Sequence, residues 1–259
     1  MRSLPPTHRD FLQDALAVLR LDSRIVGVAA GGSYASDSMD EHSDLDLVIA
    51  VEPEHFARVM AERAGIAASL GPLLASFTGE HVGEPRLLIC LYAPAPLHVD
   101  LKFVALSDLA ERVEDPIVLW ERDGRVTTAL ASGSASYPGP DASWIEDRFW
   151  IWVHYGASKI ARGELFEAMD FLAFLRMVVL GPLALQRAGA RPQGVRKIEA
   201  AAPAFADRLR ETVARHDAAS CAEALKAAVD LYRELRSTVV SSSAAEDAAT
   251  GFLARLTHG

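Results

Sequence analysis

Hydrophobic positions along the chain switch between two periods. From Asp10 to Leu21 they recur every three to four residues, as on the buried stripe of an amphipathic helix. Ile25 to Ala30 is a short apolar run that stops at Gly31-Gly32. Asp44 to Val51 alternates apolar with polar, which predicts a strand with one buried face. Pro53 opens a helical pattern that continues to about Ala68, in keeping with the preference for proline in a first turn. Arg86 to Tyr92 and Leu97 to Leu106 read as two more strands, joined through Ala93-Pro94-Ala95-Pro96 by a hairpin-like connection. Pro116 to Trp120, followed by Asp123-Gly124, predicts a small edge strand and a turn.

The pattern changes near residues 133–143, where glycine, proline, serine and alanine crowd together. Beyond that stretch nearly everything reads as helix. The expected helices are Trp144 to Arg162, Leu165 to Leu185, and two near Ala204–His216 and Ala219–Ser237, with Pro182, Pro192 and Pro203 marking breaks. The fold class expected is therefore α/β (α+β). A small mixed-sheet domain over residues 1–135 precedes an all-α domain over residues 143–259, a bundle of four or five antiparallel helices.

Composition narrows the function classes. The chain has 259 residues, half of them hydrophobic, enough for one large core or two modest ones. A formal charge of −9 argues against a general nucleic-acid binder and permits a cationic partner. Cys90 and Cys221 lie far apart and match no metal-ligand spacing. The N-terminus lacks the apolar run of a signal peptide, and the most apolar segment, Phe171 to Leu185, is interrupted by Arg176 and Pro182. A soluble cytoplasmic protein without membrane association is expected, and a homodimer is compatible with this composition.

The chemistry concentrates in two places. In the first, the apolar run delivers the chain to Gly31-Gly32-Ser33-Tyr34, and a loop later comes Ser43-Asp44-Leu45-Asp46. Glycine lets backbone approach a phosphate closely, and a serine hydroxyl with neighbouring amides can donate to its oxygens. Alternate residues on a strand share a face, so Asp44 and Asp46 point one way while Leu45 and Leu47 enter the core. Two adjacent carboxylates repel each other unless a cation sits between them, and Mg²⁺ suits a few carboxylates plus phosphate oxygens. In the second place, His98-Val99-Asp100-Leu101-Lys102-Phe103 alternates strictly, putting Asp100 on a polar face with His98 and Lys102. If this strand lies next to the first, three carboxylates converge, as a two-metal site requires.

Gly32-Ser33, the Asp44-x-Asp46 pair and the later Asp100 resemble the signature of the DNA polymerase β-type nucleotidyltransferase superfamily. More narrowly, the chain is similar to the small bacterial antibiotic nucleotidyltransferases of aminoglycoside and lincosamide type. There a minimal catalytic domain precedes a helical one. The likeness runs over roughly residues 20–200, and Lys159-Ile160-Ala161-Arg162-Gly163-Glu164-Leu165 looks like the first helices of that second domain. The resemblance implies a Mg²⁺-dependent enzyme, with two ions, that moves an NMP, AMP first among them, from an NTP to a hydroxyl of a small molecule. An aminoglycoside-like antibiotic is one such acceptor, and antibiotic resistance one such role. It further implies Asp44 and Asp46 as shared metal ligands, Asp100 as third ligand or base, and Gly32, Ser33 and Lys159 as contacts to the nucleotide phosphates.

Alternatives stay open beside this reading. A protein-modifying nucleotidyltransferase of AMPylase or antitoxin type uses the same catalytic residues, and a non-catalytic nucleotide-binding protein can share the fold. His98 reads as a solvated neighbour of Asp100. Lys102 reads as a surface lysine, or as a counter-charge to the carboxylates or to phosphate. Asp37, Asp40 and Glu41 read as a solvated loop that could attract a cationic acceptor.

Overall fold

A computed structural model describes residues 4–236 and 243–257. Ser237, the predicted end of one helix, lies outside them. The chain divides into two compact units, Met1–Ser136 and Tyr137–Gly259.

The first unit is built on one mixed sheet of six strands in the order β3-β4-β5-β2-β1-β6. Along the chain come α1 (Pro6–Leu19), β1 (Ile25–Ala30), a four-residue α2 (Gly32–Ala35), β2 (Leu45–Val51) and α3 (Phe56–Ser69). There follow β3 (Leu73–Gly79), β4 (Glu84–Tyr92), β5 (Leu97–Ala105), β6 (Ile117–Glu121) and α4 (Arg125–Ala131). The expected strands are present, and the hairpin across residues 93–96 joins β4 to β5 in antiparallel fashion. Two elements were not anticipated. Strand β3 carries an irregular burial pattern because it lies at the sheet edge, so it lacks the alternation that marks a half-buried strand. Helix α4 spans only seven residues, too short to show a helical period.

Alternation decides the layers. On one sheet face Leu45, Leu47, Ile49, Val99, Leu101 and Phe103 pack with Leu88, Cys90 and Tyr92 against Leu12, Ala15 and Leu19 of α1 and Val59 and Ala67 of α3. The Tyr92 hydroxyl donates to the Ala67 carbonyl at 2.8 Å, fixing the hairpin to α3. On the opposite face a smaller cluster of Val26, Ala50, Val104, Leu109 and Val126 sits under α4. The rest of that face, at the start of β2 and β5, carries the polar residues.

One ion-pair network braces this open face. Glu84 meets Arg86 at 2.8 Å and Lys102 at 2.7 Å, across the β4–β5 ladder. Arg86, seconded by Lys102, holds the Glu84 carboxyl at about 2, against an ordinary 4.5. Since folding lowers this pKa, the stabilisation is complete above 4.5 and is lost as pH falls toward about 2. Glu84→Gln should therefore cost about 1 kcal/mol at neutral pH, after allowance for solvent screening, and nothing near pH 2. Denaturant midpoints of both proteins across that range test this, and a gap that persists at pH 2 would reject the ionic origin.

The second unit is helical: α5 (Ala142–Ala161), α6 (Leu165–Leu175), α7 (Gly181–Arg187), α8 (Ile198–Ala201), α9 (Pro203–Leu209), α10 (Ala218–Leu235) and α11 (Ala244–Thr257). Asp141 and Asp217 cap α5 and α10, accepting from Trp144 N–H and Ser220 N–H. The sequence reading missed α11, whose alanine-rich stretch has a weak apolar stripe. It also put a helix break at Pro182, and the structure corrects this. Helix runs on from Leu165 to Arg187, through a π turn at Arg176–Leu180. A proline inside a helix removes one backbone donor and pushes away the carbonyl four residues back; the widened turn just before Pro182 absorbs both. This helix is long and apolar enough, by length and composition, to cross a membrane. Within the unit, however, Ala168, Leu172, Leu175, Val179, Leu180 and Leu185 enter the core beside Phe149, Leu225 and Tyr232.

Candidate active site

Strands β2 and β5 are parallel neighbours, with Asp46 the register partner of Asp100. Residues on either side are apolar and buried: Leu45 faces Val99 and Leu47 faces Leu101. The alternation that sends those four into the core turns both aspartates onto the open face. Asp44 precedes the strand by one residue on that same face. The three carboxylates each offer an oxygen, and these atoms all lie within 4.8 Å of one another. Oxygen-only donors, half-buried and converging, are what a hard divalent cation accepts.

Two histidines stand beside this cluster. The ring of His8, buried on α1, contacts the Ser43 carbonyl through Nε2 at 2.7 Å, which fixes the backbone just before Asp44. His98 Nε2 meets Asp100 Oδ1 at 2.9 Å, two residues along one strand face. His98, expected to be a solvated neighbour, is half-exposed but bonded to Asp100. Lys102 goes to Glu84 instead of the carboxylate cluster.

The turn after β1 lies beside this cluster. Gly31 N–H donates to the Asp46 carbonyl at 2.9 Å, so the glycine turn is bound to the strand that carries the aspartates. Gly32 adopts φ +54°, and a Cβ there would overlap the Asp46 carboxylate. Both facts require glycine. Ser33 follows directly in α2 and is half-buried.

Glu114 was not anticipated. It comes from the loop before β6, and its Oε1 accepts from Gly32 N–H at 3.2 Å. A carboxylate thus sits on an amide that the sequence reading assigned to phosphate. Glu114 belongs to the run Glu111-Arg112-Val113-Glu114-Asp115, and nothing in that run distinguishes it. If phosphate takes this amide, Glu114→Gln removes a competing charge and should tighten NTP binding several-fold, in line with the worth of one charged hydrogen bond. Calorimetric titration with Mg²⁺–ATP measures it. Weaker binding by that variant would make Glu114 a support of the turn instead.

Lys159 lies in the second unit, on α5. Its ammonium meets Glu164 at 2.7 Å and Glu167 at 3.1 Å and lies 5.1 Å from the Tyr155 ring centre. Glu164, then Glu167, raises its pKa above the ordinary lysine value. Asp40 bonds within its own loop, accepting from His42 N–H at 2.9 Å and from the Ser43 hydroxyl at 3.0 Å.

Residues 15–82 match the family model described as a nucleotidyltransferase domain. The first unit carries that domain. The match includes Gly32, Ser33, Asp44 and Asp46; Asp100 lies beyond it and is joined to the others by the strand register alone. The match spans 68 of the 259 residues and gives that part of the chain its likeness to a nucleotidyltransferase domain. No curated protein matches the chain. Among solved structures, a nucleotidyltransferase-like protein from Exiguobacterium sibiricum 255-15 is similar over 97% of this chain and 86% of that one. Its identity is 15% and its TM-score 0.38, too loose a likeness to argue from.

Proposed function

We propose that the enzyme moves an NMP, AMP first among the candidates, from an NTP to a hydroxyl of a small molecule, with Mg²⁺ held by Asp44, Asp46 and Asp100. The observation that carries this reading is the register pairing of Asp46 with Asp100 beside the Gly32–Ser33 turn. Two ions suit three carboxylates better than one, because each needs a share of anionic ligands. Bound there, divalent ions would offset phosphate charge and make the acceptor hydroxyl more acidic.

This chain's own residues do the rest. Gly32 N–H and the Ser33 hydroxyl donate to oxygens of the triphosphate, with Glu114 giving way. Lys159, which the family resemblance offers as a further phosphate contact, is held by Glu164 and Glu167. Asp100 takes the proton of the acceptor hydroxyl as its oxygen attacks the α-phosphorus. A new P–O bond forms, the bond to the bridging oxygen breaks, and pyrophosphate leaves with that electron pair. His98 keeps the Asp100 carboxylate turned toward the acceptor. An antibiotic hydroxyl, as the likeness to the aminoglycoside and lincosamide enzymes suggests, is one acceptor that fits, and a cytoplasmic enzyme would meet both substrates.

The test is incubation of the full chain with each labelled NTP, Mg²⁺ and a panel of aminoglycosides, lincosamides and cell extract. Label should pass from the α-phosphate to a small molecule, with pyrophosphate released in equal amount. Label appearing only on protein would favour the protein-modifying alternative.

A further inference from the structure

The sheet carries the catalytic residues in a single cross-strand row. Gly31 bonds to Asp46, Asp46 pairs with Asp100, Asp100 pairs with Ile89 of β4, and Ile89 pairs with Phe77 of β3. Directly opposed residues in a sheet point to the same face. The row therefore runs from the glycine turn, across the carboxylates, to the sheet edge. Beside it lies a second row, His98 of β5 with Leu91 of β4 and Ala75 of β3. The intervening positions, Leu88, Cys90 and Val99, are buried on the other face.

The β3–β4 part of this face is apolar and open. Phe77 is 56% exposed and Leu91 39%, with Ile89 half-buried between Phe77 and Asp100. Single exposed apolar residues are ordinary on protein surfaces, but here Ile89 is the register partner of Asp100, Leu91 that of His98, and Phe77 continues the row one strand further out.

Chemistry gives the strip a direction. Attacking and leaving oxygens must stand roughly in line across the transferred phosphorus. With pyrophosphate over the glycine turn at the β1 end of the row, an in-line hydroxyl on the same face has the β4 side as its open approach. It then passes over Ile89, Leu91 and Phe77 before it reaches Asp100. We propose that Phe77, Ile89 and Leu91 form the floor of the acceptor site, and that the acceptor is a hydroxyl carried on a flat apolar body, not a polycation. The inference rests on the transfer reading above and narrows its substrate class. Phe77, Ala75, Ile89 and Leu91, the β3 and β4 positions of these two rows, carry no charge, so an apolar ring would cover surface now in water.

The test uses the full chain with Mg²⁺ and each of the four NTPs, and follows pyrophosphate release. Acceptors are 2-naphthylmethanol, which is flat, neutral and singly hydroxylated, kanamycin, which is a polycation, and water alone. The substitution Phe77→Asp is made at a side chain more than half exposed, so it should fold, and Phe77→Leu is the conservative control. We expect 2-naphthylmethanol to stimulate release. Phe77→Asp should raise its KM by about ten-fold or more, with kcat and calorimetric NTP affinity unchanged and Phe77→Leu near wild type. Turnover of kanamycin but not of 2-naphthylmethanol, or an unchanged KM in Phe77→Asp, overturns the acceptor class and leaves nucleotidyl transfer standing. A dimer that Phe77→Asp dissociates would give the strip to a second copy, and also overturns it. Silence with all three acceptors and every NTP overturns this acceptor class, and silence also in the wider panel with cell extract would sink nucleotidyl transfer itself.

Discussion

Asp100→Asn should retain NTP binding and lose transfer by about two or more orders of magnitude, the usual worth of a positioned base. The substitution keeps the shape of the side chain and its place opposite Asp46, so the β2–β5 ladder is undisturbed. What disappears is the charge proposed to take the acceptor's proton. An alcohol gives up its proton at neutral pH only with a base or a metal close by. The glycine turn stands on the other side of Asp46 and should hold triphosphate much as before. Calorimetry with Mg²⁺–ATP together with single-turnover transfer separates the two effects. Near-normal transfer by the variant would remove Asp100 from the chemistry.

Gly32→Ala should be worse, because it damages binding and chemistry together. The left-handed conformation at φ +54° costs an alanine about 1 kcal/mol or more. The larger harm is steric. The added Cβ overlaps the Asp46 carboxylate, and on the other side Gly31 has Glu114 Oε1 only 2.7 Å from where its own Cβ would be. The turn can relieve the overlap only by moving away from β2 or by displacing Asp46 from its partners. We expect turnover to drop at least about 100-fold, the scale set by a 1 Å misplacement, with a weakened NTP affinity that Asp100→Asn does not show. Full affinity in Gly32→Ala would mean that the phosphates are held elsewhere.

Much of the site was legible because strand alternation is a local signal with a global consequence. Val99, Leu101 and Phe103 had to be buried, which forced Asp100 outward whatever the topology. That β5 lies beside β2, although β3 and β4 come between them in the chain, was only a condition in the sequence reading. The side-chain partners were less legible. His98 and Asp100 share a face, so their bond was available, but the alternative of a solvated ring had the same pattern. Lys102 found Glu84 across a hairpin, and Glu114 reached Gly32 from a loop with three acidic residues and an arginine. Those pairings depend on where chain segments distant in sequence come to rest. Strand β3 escaped notice because an edge strand is under little pressure to alternate. The Pro182 reading failed because a π turn can absorb a proline without ending the helix.

The pairing of Asp46 with Asp100 has a consequence for how the molecule fails. A slip of one residue between β2 and β5 would turn Val99, Leu101 and Phe103 to water and drive Asp100 into oil. The hydrophobic core thus acts as a proofreader of catalytic alignment: misregistered forms are discarded because they cannot pack. A first unit that is folded is then a first unit whose carboxylates are aligned, with no dormant, half-assembled population to be activated. Heat should extinguish turnover and the tertiary signal of this unit over the same few degrees, and an enzyme that lost activity well before its packing would have some other weak point.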